Sequence, residues 1–457
     1  MTRVALPPRL PLILTAASFG FTITQLDVTI VNVALDAIGR DFGAPTASLQ
    51  WVVDAYTLLL AAVLLSAGAL GDRFGPRRAF LAGLVLFAVS SAACGLAHTA
   101  LQLILARAIQ GAAAALLVPP SLALITHAAA GDAKARAWAV GWWTAAGGVS
   151  IAAGPVIGGL LIGALGWRWV FLVNLPLCLA GALLTLAVVP EVPPREKRPL
   201  DLPGQALGFV ALAGLVGAVI EGGHRGWSDP LVLGVLIGGG LAAAAFLAVE
   251  ARSPHPAVPL GVFQSRMVWS AMMVGVGVNF TYYGVIFVLG LFLQRSAGYS
   301  VVQAGLAFLP LTATFIVSNL LSSRLVHRFG AARTMAGGVL VAAVGYALTS
   351  RLTPHTPFLL MIPGFLLIPG GMGTAVPAMT SALLASVDRH FSGTASGVLN
   401  ACRQAAGAAG VAVMGALATG GPEAIAAGLR MSGMIAAAVL LGVAFVAGRS
   451  EGGVKST

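Results

Sequence analysis

Apolar runs of about twenty residues recur along the entire chain, and no other feature restricts its fold as severely. A helix of that length crosses the roughly 30 Å hydrocarbon layer, where every backbone N–H and C=O must be paired within the segment itself. The runs fall near 10–34, 48–70, 79–97, 101–126, 137–163 and 168–189, then 203–220 and 230–249. Six more follow near 267–293, 302–323, 334–350, 357–385, 393–419 and 424–447. They predict an all-α integral membrane protein of fourteen transmembrane helices. Charged residues are only 9% of the chain, against about 25% in soluble domains, so water is not its main solvent.

Arg3 and Arg9 precede the first run as they would in a signal peptide. That run is too long for one, carries Asp27 and Asn32 in place of a cleavage site, and is followed by many equivalents, so it reads as the first span. Cys94, Cys178 and Cys402 each lie inside an apolar run without CxxC spacing and read as packing residues. The seven histidines are scattered, which predicts no metal site and no cofactor. A GxxxxGK[ST] loop and an HExxH helix are both missing from the sequence, and no stretch is long enough for a soluble catalytic module. These features argue against an ATP-driven pump and against an enzyme.

The net charge of +11 would suggest nucleic acid in a soluble protein, but its distribution points elsewhere. With both termini placed in the cytoplasm, eighteen of the twenty-six Lys and Arg residues fall on the cytoplasmic side. Five (Arg40, Arg168, Arg225, Arg295 and Arg351) fall on the other, and Arg107, Arg403 and Arg430 lie in or near spans. This is the positive-inside pattern, and anionic lipid accounts for the basic balance without nucleic acid.

The chain also repeats itself. LGDRFGPRR at 70–78 returns as LVHRFGAAR at 325–333, each copy following the second span of a set of six. Pro-rich charged joints at 190–204 and 250–259 bracket the two extra spans. The expected organisation is an N-terminal six-helix bundle at 1–190, a linker with two inserted helices at 191–259, and a C-terminal six-helix bundle at 260–457. Repeat-built halves around a midplane site are a common plan of secondary transporters.

GALGDRFGPRR (68–78) resembles the cytoplasmic signature between the second and third helices of the major facilitator superfamily. LDVTIVNVAL (26–35), QWVVDAY (50–56), RAIQG (107–111), AGPVIGG (153–159), GWRWVFLVNLP (166–176) and GVLNACRQAAGAAG (397–410) follow in family order. Together they look like the fourteen-helix drug:proton antiporters of that superfamily, the EmrB/QacA type. Asp36 departs from the pattern, since that family's first motif usually ends in proline. The resemblance implies alternating-access export of a small hydrophobic or cationic organic molecule against protons from a plasma membrane; a monomer is expected, although the sequence does not set the oligomeric state. The other readings are a dedicated metabolite exporter or importer of the same fold and, in a different class, a channel.

Asp27 sits well inside the first span, where an ionised aspartate costs about 2.5–3.5 kcal/mol on insertion scales. It could exchange a proton between states or recognise a cation; as a purely structural acid it would be satisfied by Thr29, Asn32 or backbone. Arg107 in the fourth span keeps its charge and needs an acid, water or carbonyl partner, which makes it a candidate for the proton path or a structural ion pair. By resemblance, Gln110 and Gly111 complete its motif. Asp54 stands about 9 Å from the outer edge of the second span, as an interfacial acid or a second cavity acid. Glu221, at a span end, reads as solvated, and most Trp and Tyr residues, Trp143 among them, read as interfacial anchors. Tyr282, Tyr283 and Phe280 are candidate cavity residues, and Arg403 and Gln404 are either cavity groups or packing glue.

Gly71 and Gly75 would allow a tight reversal, with Arg73, Arg77 and Arg78 at the anionic leaflet. The carboxylate of Asp72 could bind a cation or a helix N-terminus, and resemblance implies a conformational latch; the alternative is a simple basic turn. Gly147, Gly154, Pro155, Gly158, Gly159 and Gly163 are expected along one stripe of the fifth span, with the Gly-Pro pair bending it. Resemblance identifies this segment as the antiporter motif.

Overall fold

The computed structural model describes residues 9–129, 132–191, 202–253, 265–387 and 392–449. Helices α1 (Leu10–Phe42), α2 (Thr46–Phe74) and α3 (Pro76–Gly95) open the chain. They are followed by α4 (Ala100–Ala115), α5 (Val118–Ala128), α6 (Ala133–Leu165), α7 (Trp169–Leu172) and α8 (Asn174–Val188). The middle pair is α9 (Leu202–Arg225) and α10 (Pro230–Arg252). The rest comprises α11 (Arg266–Leu291) with a π-helical turn at Phe292–Ser296, α12 (Val301–Ala307), α13 (Leu309–Phe329), α14 (Ala331–Thr349), α15 (Phe358–Ala385), α16 (Ser392–Leu417) and α17 (Pro422–Gly448).

Twelve helices among the described residues are long and apolar enough to cross a membrane, thirteen if the two arms of α6, bent by 40°, count as one span. Two of the expected spans therefore behave differently. In α6, Pro155 removes a backbone hydrogen bond and crowds the preceding turn, which accounts for the bend. Helix α16 is a regular 26-residue helix, but Asn400, Arg403 and Gln404 dilute its apolar character.

Proline also explains breaks that the apolar runs do not announce. The spans 101–126, 168–189 and 302–323 are each interrupted, at Leu116–Leu117, Val173 and Phe308. In each, a proline lies in the first turn of the continuing helix: Pro119 and Pro120, Pro176, and Pro310. Proline fits there because a first-turn N–H has no intrahelical partner to lose. The break at Val173 places Asn174 at the start of α8, deep in the bundle.

The packing follows the sequence repeat. Helix α1 lies along α6, and in the second half α11 lies along α16. Across the halves, α2 packs on α16 while α6 packs on α12 and α13, and α1 touches α11. Helices α9 and α10 pack on one another where Gly214 meets Gly239, and α9 leans on α2 and α16. Both repeat copies end in the same geometry: Gly75 (φ 89°) and Gly330 (φ 83°) make the reversal. In each copy the arginine lies over the next phenylalanine ring, Arg73 at 5.7 Å and Arg328 at 5.2 Å, at an exposed surface.

Candidate functional site

Asp27 meets Arg107 and Gln110, 80 and 83 residues further along the chain, in one buried polar knot. Asp27 is fully buried on α1, and its Oδ2 pairs with Arg107 Nη1 of α4. Its Oδ1 accepts from Gln110 Nε2 and Asn174 Nδ2, each at 3.0 Å. Arg107 Nε donates to the Val52 carbonyl at 3.1 Å, and its Nη1 also reaches Gln110 Oε1 at 2.6 Å. Ser91 Oγ accepts from Gln110 and Asn174 at 2.7 and 3.3 Å. The Arg107 guanidinium lies 4.2 Å from the centre of the Tyr56 ring and 5.7 Å from that of Phe171.

The motif spacing produces this arrangement. Arg107 and Gln110 are three apart and share one face of α4, while Gly111 lets that face approach α2, since a Cβ there would lie 2.1 Å from the Tyr56 carbonyl oxygen. A buried ion pair is tolerable only when its remaining donors and acceptors are also met, and here three side chains converge on the carboxylate. Thr29 and Asn32, the satisfying partners expected from sequence, instead bond the α1 backbone at Gln25, Leu26 and Val28.

Asp54 is a different case. It is fully buried in α2, and neither carboxylate oxygen has a hydrogen-bond partner among the described residues. Four residues earlier on α2, Gln50 donates to the carbonyls of Val411 and Ala412 on α16, at 3.2 and 2.9 Å. Arg403 and Gln404, on α16, are half-buried. Arg403 Nη1 reaches Asn400 Oδ1 at 3.3 Å, while its Nε and the Oε1 of Gln404 are buried without partners.

A second ion-pair cluster joins the two halves at the end of α1. Asp36, nearly buried, accepts from Arg295 Nε at 2.5 Å across the halves and from Arg40 Nη2 at 2.9 Å on its own helix. Gln294 Nε2 donates to the Val33 carbonyl at 3.2 Å. A hollow of about 340 Å³ beside the pair is lined by Asp36, Arg40, Gln294, Arg295, Gly420 and Pro422 among others. The residue that breaks the family pattern is therefore the one that fastens this end.

The remaining sequence candidates fall as follows. Gly71 lies inside α2, so the reversal rests on Gly75 alone. Arg77 Nη2 donates to the Leu186 carbonyl at 3.0 Å and Arg78 pairs with Glu191 at 2.9 Å, tying the turn to α8 and the chain just beyond it. The Asp72 side chain lies outside the described residues. The glycines of α6 form two stripes rather than one. Gly147, Gly154 and Gly158 face Phe21, Thr29 and Ile30 of α1, whereas Gly159 and Gly163 face Val301 and Val302 of α12, and Gly305 abuts the Pro155 carbonyl.

Trp143 is a core residue, not an interfacial anchor: it stacks on Phe21 with centroids 3.9 Å apart and donates to Ser121 Oγ at 3.2 Å. Glu221 is partnered, accepting from Trp51 Nε1 at 3.3 Å and pairing with Arg225 at 2.8 Å. Sequence reasoning missed Ser91, Tyr56 and Asn174. Asn174 had a usable signal, as a lone amide in an apolar run two residues before a proline; Ser91 in a run of small residues had none.

Comparison with known proteins places this geometry. Residues 17–411 match the model of the Major Facilitator Superfamily. A methylenomycin A resistance protein of Bacillus subtilis is 34% identical over 89% of this chain and 87% of its own length. A puromycin resistance protein of Streptomyces alboniger is 39% identical over 86% of this chain and 79% of its own. Among solved structures, a bacterial homologue of the human lysosomal transporter Spinster, in an inward-facing and unoccupied conformation, superposes with a TM-score of 0.68 at 20% identity, covering 97% of this chain and 98% of that one. By the match of its sequence to the family model and to these relatives, the chain belongs to the Major Facilitator Superfamily.

Proposed function

We propose that this chain is a proton-driven exporter of drug-like organic molecules, an antiporter of the fourteen-helix EmrB/QacA type that works by alternating access. Relatives named for resistance to methylenomycin A and puromycin, and one named a multidrug resistance protein, support the efflux reading. It is a multi-pass protein of the plasma membrane, and in this reading both termini face the cytoplasm. Helix α16 serves as a spanning helix although polar, and α6 counts as one bent span, which brings the total to fourteen. Segments 1–190 and 260–457 act as the two moving bundles, with 191–259 as an inserted pair beside them. Lipid surrounds a monomer, and no cofactor takes part.

The observation that carries proton coupling is Asp54. A buried charge without a partner costs several kcal/mol, and Asp54 has none among the described residues, so this arrangement suits a proton on the carboxylate. Opening toward the Asp36 end would expose the group to water and permit ionisation; closing again would require a new proton. Substrate and proton thus bias one conformational equilibrium in opposite directions, which is the requirement for exchange.

Asp27 and Arg107 act in this reading as the rigid polar centre of the first bundle, holding α1, α4 and α8 as one body. The α1-facing glycines of α6 let that body close tightly, while its α12-facing glycines and Pro155 form the sliding seam to the second bundle. The turn containing Gly71, Asp72, Arg73, Gly75, Arg77 and Arg78 is the proposed latch on the cytoplasmic side.

The test is transport by the purified chain in proteoliposomes under an imposed pH gradient. Substrate movement should follow the gradient in the intact protein. In Asp54→Asn, gradient-driven accumulation should vanish while substrate-for-substrate exchange persists. Gradient-independent flux in the intact protein would defeat proton antiport, and single-channel currents in a planar bilayer would replace the carrier with a channel.

A further inference from the structure

We infer that the substrate is an amphiphilic organic acid whose anionic group is received by Arg403. The inference rests on the transport reading above and gives its substrate a charge.

It begins from the pairing of the buried and half-buried cations. Arg107 has Asp27, and Arg295 has Asp36. Arg403 has no carboxylate within ion-pair distance among the described residues, although its Nε is buried. A guanidinium cannot shed its charge, and in a low-dielectric interior it requires an acceptor. Its one protein acceptor among the described residues is the neutral Asn400 Oδ1 at 3.3 Å, which leaves most of its donor fork unused.

The surroundings suit a particular guest. The Arg403 side chain lies along α11 where residue 275 is glycine; a Cβ there would sit 3.1 Å from Arg403 Cγ, 2.9 Å from Leu399 and 3.0 Å from the Met379 sulfur. One turn further along α16, Gly407 lies against the Tyr283 ring, which is T-stacked on Tyr282 at 5.5 Å. A planar acid would place its carboxylate or sulfonate against the guanidinium fork and its ring body among the Leu, Met and Tyr side chains. A cation, by contrast, would meet uncompensated like charge in this half.

The division of labour also separates the two ligands of the exchange. Among the described residues Asp54 is an unpartnered acid on the first bundle and Arg403 a cation without a carboxylate on the second, so proton and anion do not compete for one group. One anion exported for one proton admitted moves two elementary charges inward per cycle. Exchange of a monovalent cation for a proton moves none.

The experiment uses the intact full-length protein in proteoliposomes, acid inside, with three probes of one skeleton that carry fixed charge or none: radiolabelled naphthalene-2-sulfonate, 2-naphthylacetamide and trimethyl(2-naphthylmethyl)ammonium. The inference expects gradient-dependent uptake of the sulfonate at least tenfold above that of the ammonium, and acceleration by a potassium diffusion potential of the sign that favours net charge movement. Arg403→Gln should lower sulfonate uptake at least tenfold through a raised KM, and Arg403→Lys should recover part of it. An unchanged melting temperature in both variants separates recognition from folding. Preferential uptake of the ammonium or amide, insensitive to Arg403→Gln, overturns the acid inference and leaves the transporter reading in place. If the gradient moves none of the three probes, the acid inference is overturned, and the transport reading is decided by the separate pH-gradient assay above.

Discussion

Asp27 and Asp54 are both fully buried carboxylates in neighbouring helices of the first bundle, yet one is surrounded by donors and the other has none. The contrast separates two uses of a charge in hydrocarbon. A carboxylate that receives a guanidinium and two amides is locked into a single geometry, because any movement would cost its donors their acceptor. One that receives nothing can gain and release a proton without dismantling the bundle. Depth in the span alone would have assigned them the reverse roles, since Asp27 lies deeper.

The largest effect expected from this contrast is that of Arg107→Ala. It leaves Asp27 as a buried charge without its counter-ion, which costs about 3–5 kcal/mol and removes the packing on Tyr56. Thermal unfolding in detergent should show a drop of many degrees together with loss of transport, and Arg107→Ala combined with Asp27→Asn should recover much of the stability. A melting temperature within a degree or two of the parent would mean that the knot is not what holds α1 to α4.

Asp54→Asn should act on the other axis. Stability should change by less than about 1 kcal/mol, because a neutral amide replaces a neutral acid of the same shape. Gradient-driven transport should fall at least tenfold, and exchange should lose its pH dependence. If this variant instead destabilises the protein while still pumping against the gradient, the two aspartates must swap roles.

Asn174→Ala provides an intermediate test. Asp27 keeps Arg107 and Gln110 but loses one donor, for an expected loss of about 1–2 kcal/mol. Transport coupled to the gradient should survive, since the proton site is untouched. Abolished coupling with normal stability would place Asn174, and with it the whole knot, in the proton path.

The sequence carried the architecture further than it carried the site. Long apolar runs, the charge bias and the repeated turn predict the bundle because a membrane restricts the backbone to helices. What they do not reveal is where helices break, since a proline inside an apolar run is compatible with a kink or with a new first turn; only packing decides. Asp27 and Arg107 were recognisable as costly charges, but their partnership spans 80 residues and their third donor, Asn174, depends on the break at Val173. The isolation of Asp54 could not be read at all, because the absence of a partner is a property of the surroundings and leaves no trace in the residue itself. The same holds for Trp143, where an aromatic near a span end is an interfacial anchor or a core residue depending on which way its helix faces.

The smallest effect concerns the end of α1, where Asp36 replaces the expected proline and meets Arg295 of the other half. Removing Arg295 with Arg295→Gln does not orphan Asp36, because Arg40 remains on it at 2.9 Å. Arg295 is also partly exposed, so the pair should contribute less than about 1 kcal/mol, equivalent to a shift of about two- to fivefold in the balance between the two orientations. Alkylation by a membrane-impermeant maleimide at Val33→Cys, whose carbonyl is capped by Gln294 in this closed end, should accelerate by that factor in the Arg295→Gln background, measured above the labelling of the three native cysteines. Arg40→Gln is the decisive comparison: it removes the same charge from the same acid but touches only one half, so a latch between the halves predicts no acceleration from it. Equal acceleration by both variants would mean that net charge near Asp36, not a bond across the seam, keeps this end shut.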